Sequence, residues 1–299
     1  MSTPSAMAVH RALHGDGKGK AMRLGFIPTW AALALLAIAS GMWAQSTDAP
    51  NAQSIDALRA QADKGDAQAQ ATLGFYFEYG IFVPKDCSQA LFWYRKAAEQ
   101  GWPGAQMRLG AQYQGGSRTG GPIEACVSKD LAEGAAWYRK AAEQGYAKAQ
   151  CDLGWLYETG AGVPKDYRLA AFWYRKAAEQ GDADSQFNLG LLYYNGQGVP
   201  QDYVQSATWV RNAAEQGDVG AQTLLALLYT HGQGVPQDYA EAYFWSDIAA
   251  VGMNNKPGQQ SAIDVRDAAA AKLTPTVLMQ TQERARKWFE YHAAKAQTK

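Results

Sequence analysis

Net charge is what this 299-residue chain most plainly lacks: 28 Lys and Arg residues stand against 28 Asp and Glu. Without a basic excess there is no field to gather phosphates or to hold an anionic membrane surface, which argues against nucleic acid as a partner. Metal and nucleophile chemistry are short of material too. There are three cysteines, at 87, 126 and 151, and four histidines, of which His10 and His14 precede the first apolar run, leaving His231 and His292. A zinc site needs several convergent ligands and a nucleophile needs a base and an oxyanion site within reach. Neither pattern is visible, and no H-E-x-x-H, G-x-S-x-G, P-loop or dinucleotide fingerprint occurs. The reading is of no catalytic residues, no metal and no cofactor. β-Branched residues are scarce beside Ala, Tyr and Trp, which suits close-packed helices better than a sheet.

Long apolar runs are equally sparse, with one exception. Leu24 to Thr47 carry no charge, Trp30 to Ala39 are wholly apolar, and Arg11, Lys18, Lys20 and Arg23 precede them. A basic region, an apolar core and small residues near Ala39 to Ala44 follow the order of a secretory signal; about twenty uncharged residues would also just span a bilayer as an uncleaved anchor. Residues 1–45 are therefore expected to be a leader that exports the chain, placing the body in the periplasm or anchored to face it. The membrane is met only through this segment, and Met22 is an alternative start. Residues 46–54 read as a flexible linker.

What is present is a beat. Leu-Gly occurs at 73, 109, 153 and 189 and returns as Leu225-Ala226, with spacings of 36, 44, 36 and 36; Trp recurs at 93, 137, 173, 209 and 245. The Leu-to-Trp distance is 20 except in the second copy, where it is 28, so one eight-residue insertion lies between Gly116 and Val127. Five copies of one supersecondary unit predict an array rather than a single compact core.

Each copy reads as two helices. The first carries A-Q-x-x-L-G-x-x-Y, whose small residue, Leu and aromatic are four apart and share a face. The helical glycine predicts close approach of the partner helix, and Gly80, Gly116, Gly160, Gly196 and Gly232 are expected to end these helices at positive φ. Asp86, Asp130, Asp166, Asp202 and Asp238 are placed to cap the second helices, which carry A-x-x-W-Y-R-K-A-A-E-Q-G. There Trp and Ala form the buried stripe, Arg95, Lys96 and Glu99 face water, and Gly101, Gly145, Gly181, Gly217 and Gly252 close the copies. Ile55 to Asp63 resembles a lone second helix that caps the first repeat. Residues 253–299 are expected to add two capping helices, over Gln259–Lys272 and Pro275–Ala296, after a break at Met253 to Gly258. The array thus covers 55–252.

The motif L-G-x-x-Y, then G-x-G-V-P-x-D-Y, then W-Y-x-K-A-A-E-x-G resembles the Sel1-like repeat family, a relative of the tetratricopeptide repeat. Phe82 and Cys126 depart from it where the connector usually has Gly, as does Ala226 in the first-helix glycine position. The resemblance implies an all-α, right-handed superhelical solenoid that acts as a scaffold for a protein or peptide partner. By the tetratricopeptide analogy, first helices line a groove. The positions facing it would be Phe75, Glu78 and Tyr79; Met107; Trp155 and Glu158; Phe187, Leu191, Tyr194 and Asn195; and Leu227 and His231. Cys151 and other small residues share those positions, and the same residues would equally suit contacts between successive first helices. Some cysteine-rich relatives are linked to β-lactams, which implies a cell-wall or β-lactam enzyme as the rival function; a membrane-anchored signalling adaptor is another, and differs chiefly in whether Leu24 to Ala44 is removed. There is no S-x-x-K, and Arg118-Thr119-Gly120 is the nearest K-T-G analogue. In an oxidising compartment Cys87 and Cys126 could form a disulfide that ties down the insertion, or remain thiols. Cys151 is expected to be a small residue on a semi-exposed face.

Overall fold

The computed structural model describes residues 52–115, 127–253 and 258–297. The leader, residues 46–51 of the linker, Gly116, the Arg118-Thr119-Gly120 tripeptide and Cys126 lie outside the described residues. Those residues hold thirteen helices and no strand. They divide into two compact units, with the boundary along the chain between Asp166 and Tyr167. None of the helices is long and apolar enough to cross a membrane.

The first unit contains α1 (Ala52–Asp63), α2 (Ala67–Tyr79), α3 (Cys87–Glu99), α4 (Pro103–Gln114), α5 (Leu131–Glu143) and α6 (Ala147–Thr159). The second contains α7 (Tyr167–Glu179), α8 (Ala183–Asn195), α9 (Tyr203–Glu215), α10 (Val219–His231), α11 (Tyr239–Met253), α12 (Gln259–Ala270) and α13 (Pro275–Gln297). Within each unit, helices adjacent in sequence pack together, except that α13 packs on α11 rather than on α12. The capping helix α1 starts at Ala52, inside the stretch read as linker.

The repeated letters explain the packing. The five leucines, Leu73, Leu109, Leu153, Leu189 and Leu225, are all fully buried, each worth about 2 kcal/mol against exposure. The paired alanines of the second helices are buried as well, so helix axes approach without side chains between them. A Cβ added to Gly74 would lie 2.7 Å from the Tyr94 ring, and one on Gly190 would lie 2.5 Å from Val210 Cγ2. Gly74, Gly110 and Gly190 therefore make room for the residue after the tryptophan. In the last repeat that residue is Ser246, and there Ala226 replaces the glycine; both are fully buried.

Helix ends follow the expected chemistry with two differences. Asp86, Asp130, Asp202 and Asp238 accept hydrogen bonds from backbone N–H groups of the first turn, at 2.8–3.1 Å, satisfying donors that a helix start leaves open. Helix α4 stops at Gly115 (φ 87), one residue before the expected Gly116. Gly115 comes one position ahead of Gly116, and it already closes the turn by donating to Ala111 O and Gln112 O. At the other end α11 runs through Gly252 to Met253. Gly252 is not at positive φ; a Cβ there would sit 3.3 Å from Val219, so this glycine serves contact with α10 rather than termination.

The connector glycines have a stricter role. A Cβ on Gly162 would fall 2.0 Å from the carbonyl oxygen of Leu131, on Gly198 2.2 Å from that of Tyr167, and on Gly234 2.0 Å from that of Tyr203. Each connector thus lies against the first residue of the preceding repeat's second helix, with φ of 78°, 71° and 69°. Phe82 holds the same place in the first repeat at φ 60°. Among the described residues no complete repeat stands in front of it, and its side chain is half exposed and edge-on to Tyr76.

Candidate binding surface

The motif's polar letters form internal ladders. The glutamine of each A-Q pair donates its Nε2 hydrogen to a carbonyl near the end of the preceding second helix: Gln70 to Ala62 O, Gln106 to Ala98 O, Gln150 to Ala142 O, Gln186 to Ala178 O and Gln222 to Ala214 O, all at 2.9–3.1 Å. The bond to Ala62 gives α1 the same contact with the following repeat that the second helices make. The glutamine of A-E-Q-G then reaches back, Gln100 to Gln70, Gln144 to Gln106 and Gln216 to Gln186, at 2.7–2.8 Å. A third row joins the arginine of W-Y-R to the closing tyrosine of the following repeat. Arg95 donates to Tyr113 at 2.8 Å, Arg139 to Tyr157 at 2.9 Å, Arg175 to Tyr193 at 2.6 Å and Arg211 to Tyr229 at 2.5 Å. Arg95 is exposed as expected, yet one of its N–H groups is held by Tyr113.

The residues expected to line a groove are split by the structure. Phe187 is buried, and the backbone of Gly220 in the next repeat lies against it; a Cβ there would be 2.9 Å from its ring. Glu78 is 6% exposed, and its carboxylate accepts hydrogen bonds from Tyr94 Oη at 2.6 Å and Gln112 Nε2 at 3.2 Å, with Arg108 at 3.8 Å. A buried carboxylate demands this degree of pairing. Burial, reinforced by the Glu78 charge, lifts the Tyr94 phenol well above its ordinary pKa. Arg108 also donates to Tyr79 Oη at 3.2 Å and lies beside the Phe75 and Tyr79 rings. Phe75, Glu78 and Tyr79 are thus one cluster, with Tyr79 its exposed member. Met107, Trp155, Glu158, Leu191, Asn195 and Leu227 are half-buried, and His231 is exposed. Tyr194 is half-buried, edge-on to Tyr203 at 5.4 Å, and its phenol pKa is raised by that burial. Cys151 is fully buried, not semi-exposed, because it turns toward the helix packing. Cys87, first residue of α3, is disulfide-bonded.

Open space is found elsewhere, between successive second helices. In the second unit a recess of about 500 Å³ lies between α7 and α9, lined by Arg175, Glu179, Tyr193, the Pro200–Asp202 connector, Gln205 and Trp209. Its equivalent between α9 and α11, about 400 Å³, is lined by Arg211, Glu215, Tyr229, the Pro236–Asp238 connector, Glu241 and Trp245, with Arg284 of α13 added. Both are floored by the arginine–tyrosine bond. Every wall residue except Arg284 is a repeated letter of the motif or its neighbour, so the signal stood in the sequence. Which helix face stays uncovered is decided only by stacking.

Comparison with known proteins agrees with this architecture. The family profile described as Sel1 repeat matches residues 67–102, 103–146, 147–182, 183–218 and 219–250. A solved structure of a protective antigen present in uropathogenic Escherichia coli strains, displaying an SLR fold, is 35% identical with a TM-score of 0.70 over 84% of this chain and 51% of that one. A Sel1 repeat protein from Oxalobacter formigenes is 34% identical, TM-score 0.65, over 81% of this chain and 93% of that one. Chitin synthase regulatory factor 3 of Schizosaccharomyces pombe is 51% identical over 51 residues, 17% of this chain. The chain spans about half the length of the Escherichia coli protein and 6% of the yeast one. With five matched repeats over more than half its length and two similar solenoids, the chain belongs to the Sel1 repeat family.

Proposed function

We propose that this protein is an exported scaffold that holds a protein or peptide partner on the surface of its Sel1 repeats and carries out no reaction of its own. The observation that carries the reading is the division of labour in each repeat. The buried glutamines and the Glu78 cluster are occupied by one another, while open recesses recur with the repeat. Aromatic side chains at the mouth of such recesses supply large contact area at low entropic cost. Among the first-helix positions, Tyr79, Tyr194 and His231 are the accessible candidates for a second contact row. Export is supported by the order of basic, apolar and small residues over 11–44, and by the description of the Escherichia coli relative as a protective antigen. Affinity capture from envelope extract with the purified full chain tests the binding role, and sequencing the N-terminus of the exported form tests the leader. A partner retained by the native chain and lost on heat unfolding supports the scaffold. Turnover of a chromogenic β-lactam by purified protein would replace it with an enzyme.

A further inference from the structure

Phe82 occupies a backbone state that later repeats reserve for glycine. Among the described residues it is the only one besides glycine at positive φ, a region that opposes a bulky side chain. The later connectors meet no such conflict, because Gly162, Gly198 and Gly234 stand there. Core packing does not explain the exception. One edge of the ring meets Tyr76 at 5.3 Å, and half of the side chain is exposed. An apolar group held outward against the preference of its own backbone points to an apolar surface that receives it. Its place in the first unit says which. Residues 64–66 alone join α1 to α2, so α2 runs back beside α1 and delivers the connector to the end where α1 starts. Val83 of the connector and Ile55 of the first turn of α1 are buried in one apolar core. Seven residues, 45–51, separate α1 from the uncharged stretch 24–44, and at full stretch they reach about 25 Å.

We propose that the Tyr76–Phe82 end of the first unit rests on a lipid bilayer, with the Phe82 ring entering the boundary between headgroups and acyl chains while residues 24–44 remain in the membrane as an anchor. This deepens the scaffold reading and rests on its exported, anchored form. A tether this short keeps the ring at an effective concentration on the order of millimolar, so one aromatic side chain suffices where a free protein would need a larger apolar face. The contact fixes how the first repeat is turned toward the membrane, which a flexible linker by itself leaves undetermined.

The test places the full-length protein in nanodiscs of phosphatidylethanolamine and phosphatidylglycerol, with the photoreactive residue benzoylphenylalanine at position 82 or, as reference, at position 102. Trp102 is also an exposed aromatic residue of the first unit, but it follows α3 where the Phe82 connector precedes it, about 20 Å away along that helix. Irradiation is expected to join residue 82 to phospholipid at about ten times the yield at 102, as for a ring seated in the interface. Phe82→Gly, which also relieves the backbone, should raise the lipid yield at 102, because the unit then turns freely on its tether. Equal yields at 82 and 102 would overturn the proposal. So would an unchanged yield at 102 in the Phe82→Gly protein, or adducts at 82 to protein alone when the experiment is repeated in envelope vesicles. An exported form that begins after residue 44 would overturn it too, since the tether is then gone. The scaffold reading is decided separately, by whether envelope capture yields a partner, so the two can fail independently.

Discussion

At the scale of single residues, two buried serines show where this chain departs from its own pattern. Ser185 and Ser206 take positions that are alanine in most copies; both are fully buried, and neither hydroxyl has a hydrogen-bond partner. A buried hydroxyl left unpaired costs about 1–3 kcal/mol. Ser185→Ala and Ser206→Ala are therefore each expected to stabilise the protein by about 1 kcal/mol, seen as a higher urea midpoint at unchanged slope. A lower midpoint would mean that the hydroxyls find partners in solution. Asp218, the N-cap of α10, accepts from Ala221 N–H at 2.7 Å, yet its pKa rises to about 6, chiefly through burial. A carboxyl whose folded pKa is raised favours the protonated protein. Its contribution is fully present below the ordinary carboxyl pKa and is lost as pH climbs through about 6. Native stability should thus gain about 1–3 kcal/mol from this group between pH 7.5 and 4. Asp218→Asn keeps the capping acceptor and should flatten that component, as denaturation of both proteins at several pH values would reveal. None of this was legible beforehand, because an aspartate in a capping position looks alike whether its surroundings are wet or dry.

At the scale of elements, the seam between repeats is set by backbone against backbone. The connector glycine at 198 has no space for a Cβ beside the Tyr167 carbonyl and also sits at positive φ. Gly198→Ala is expected to cost about 3 kcal/mol, from overpacking and left-handed strain together. Phe82→Gly at the equivalent place in the first repeat should change stability by less than about 1 kcal/mol. Relief of its left-handed backbone there offsets loss of the Tyr76 contact. Thermal unfolding of the two variants side by side checks the contrast, and equal effects would show that the seam does not set the requirement. Helix positions, caps and the buried Leu and Ala stripes were readable from spacing, since 3.6-residue periodicity and capping chemistry are local. The expected stops at Gly116 and Gly252 differ because a glycine permits a helix end without requiring one. The face of the second helices that carries the recesses was assigned simply to water, since periodicity shows which side is apolar but not how much of the polar side a neighbour will wall in.

At the scale of the whole molecule, the seam bears on the cysteines. Cys87 occupies the place held by Leu131, Tyr167 and Tyr203 in later repeats, and Cys126 is the sequence equivalent of Gly162, Gly198 and Gly234. Those three pairs touch. A bridge between Cys87 and Cys126 is therefore expected in protein purified from an oxidising compartment. Non-reducing peptide mapping should recover the two linked, with Cys151 as a thiol. Reduction should lower thermal stability by about 2–4 kcal/mol; alkylation of Cys87 in the unreduced protein would rule the bridge out.

The chain's own letters determined its repeat number, its all-helical class, the site of the one long insertion and the leucine core, because each follows from spacing along a single chain. Only tertiary structure decided which repeated polar residues hold the stack together and which face outward. Gln70, Glu78 and Arg95 look alike in a sequence, as exposed polar residues on amphipathic helices. Their different fates come from partners between 8 and 34 positions away, which only the packed helices bring within hydrogen-bond reach.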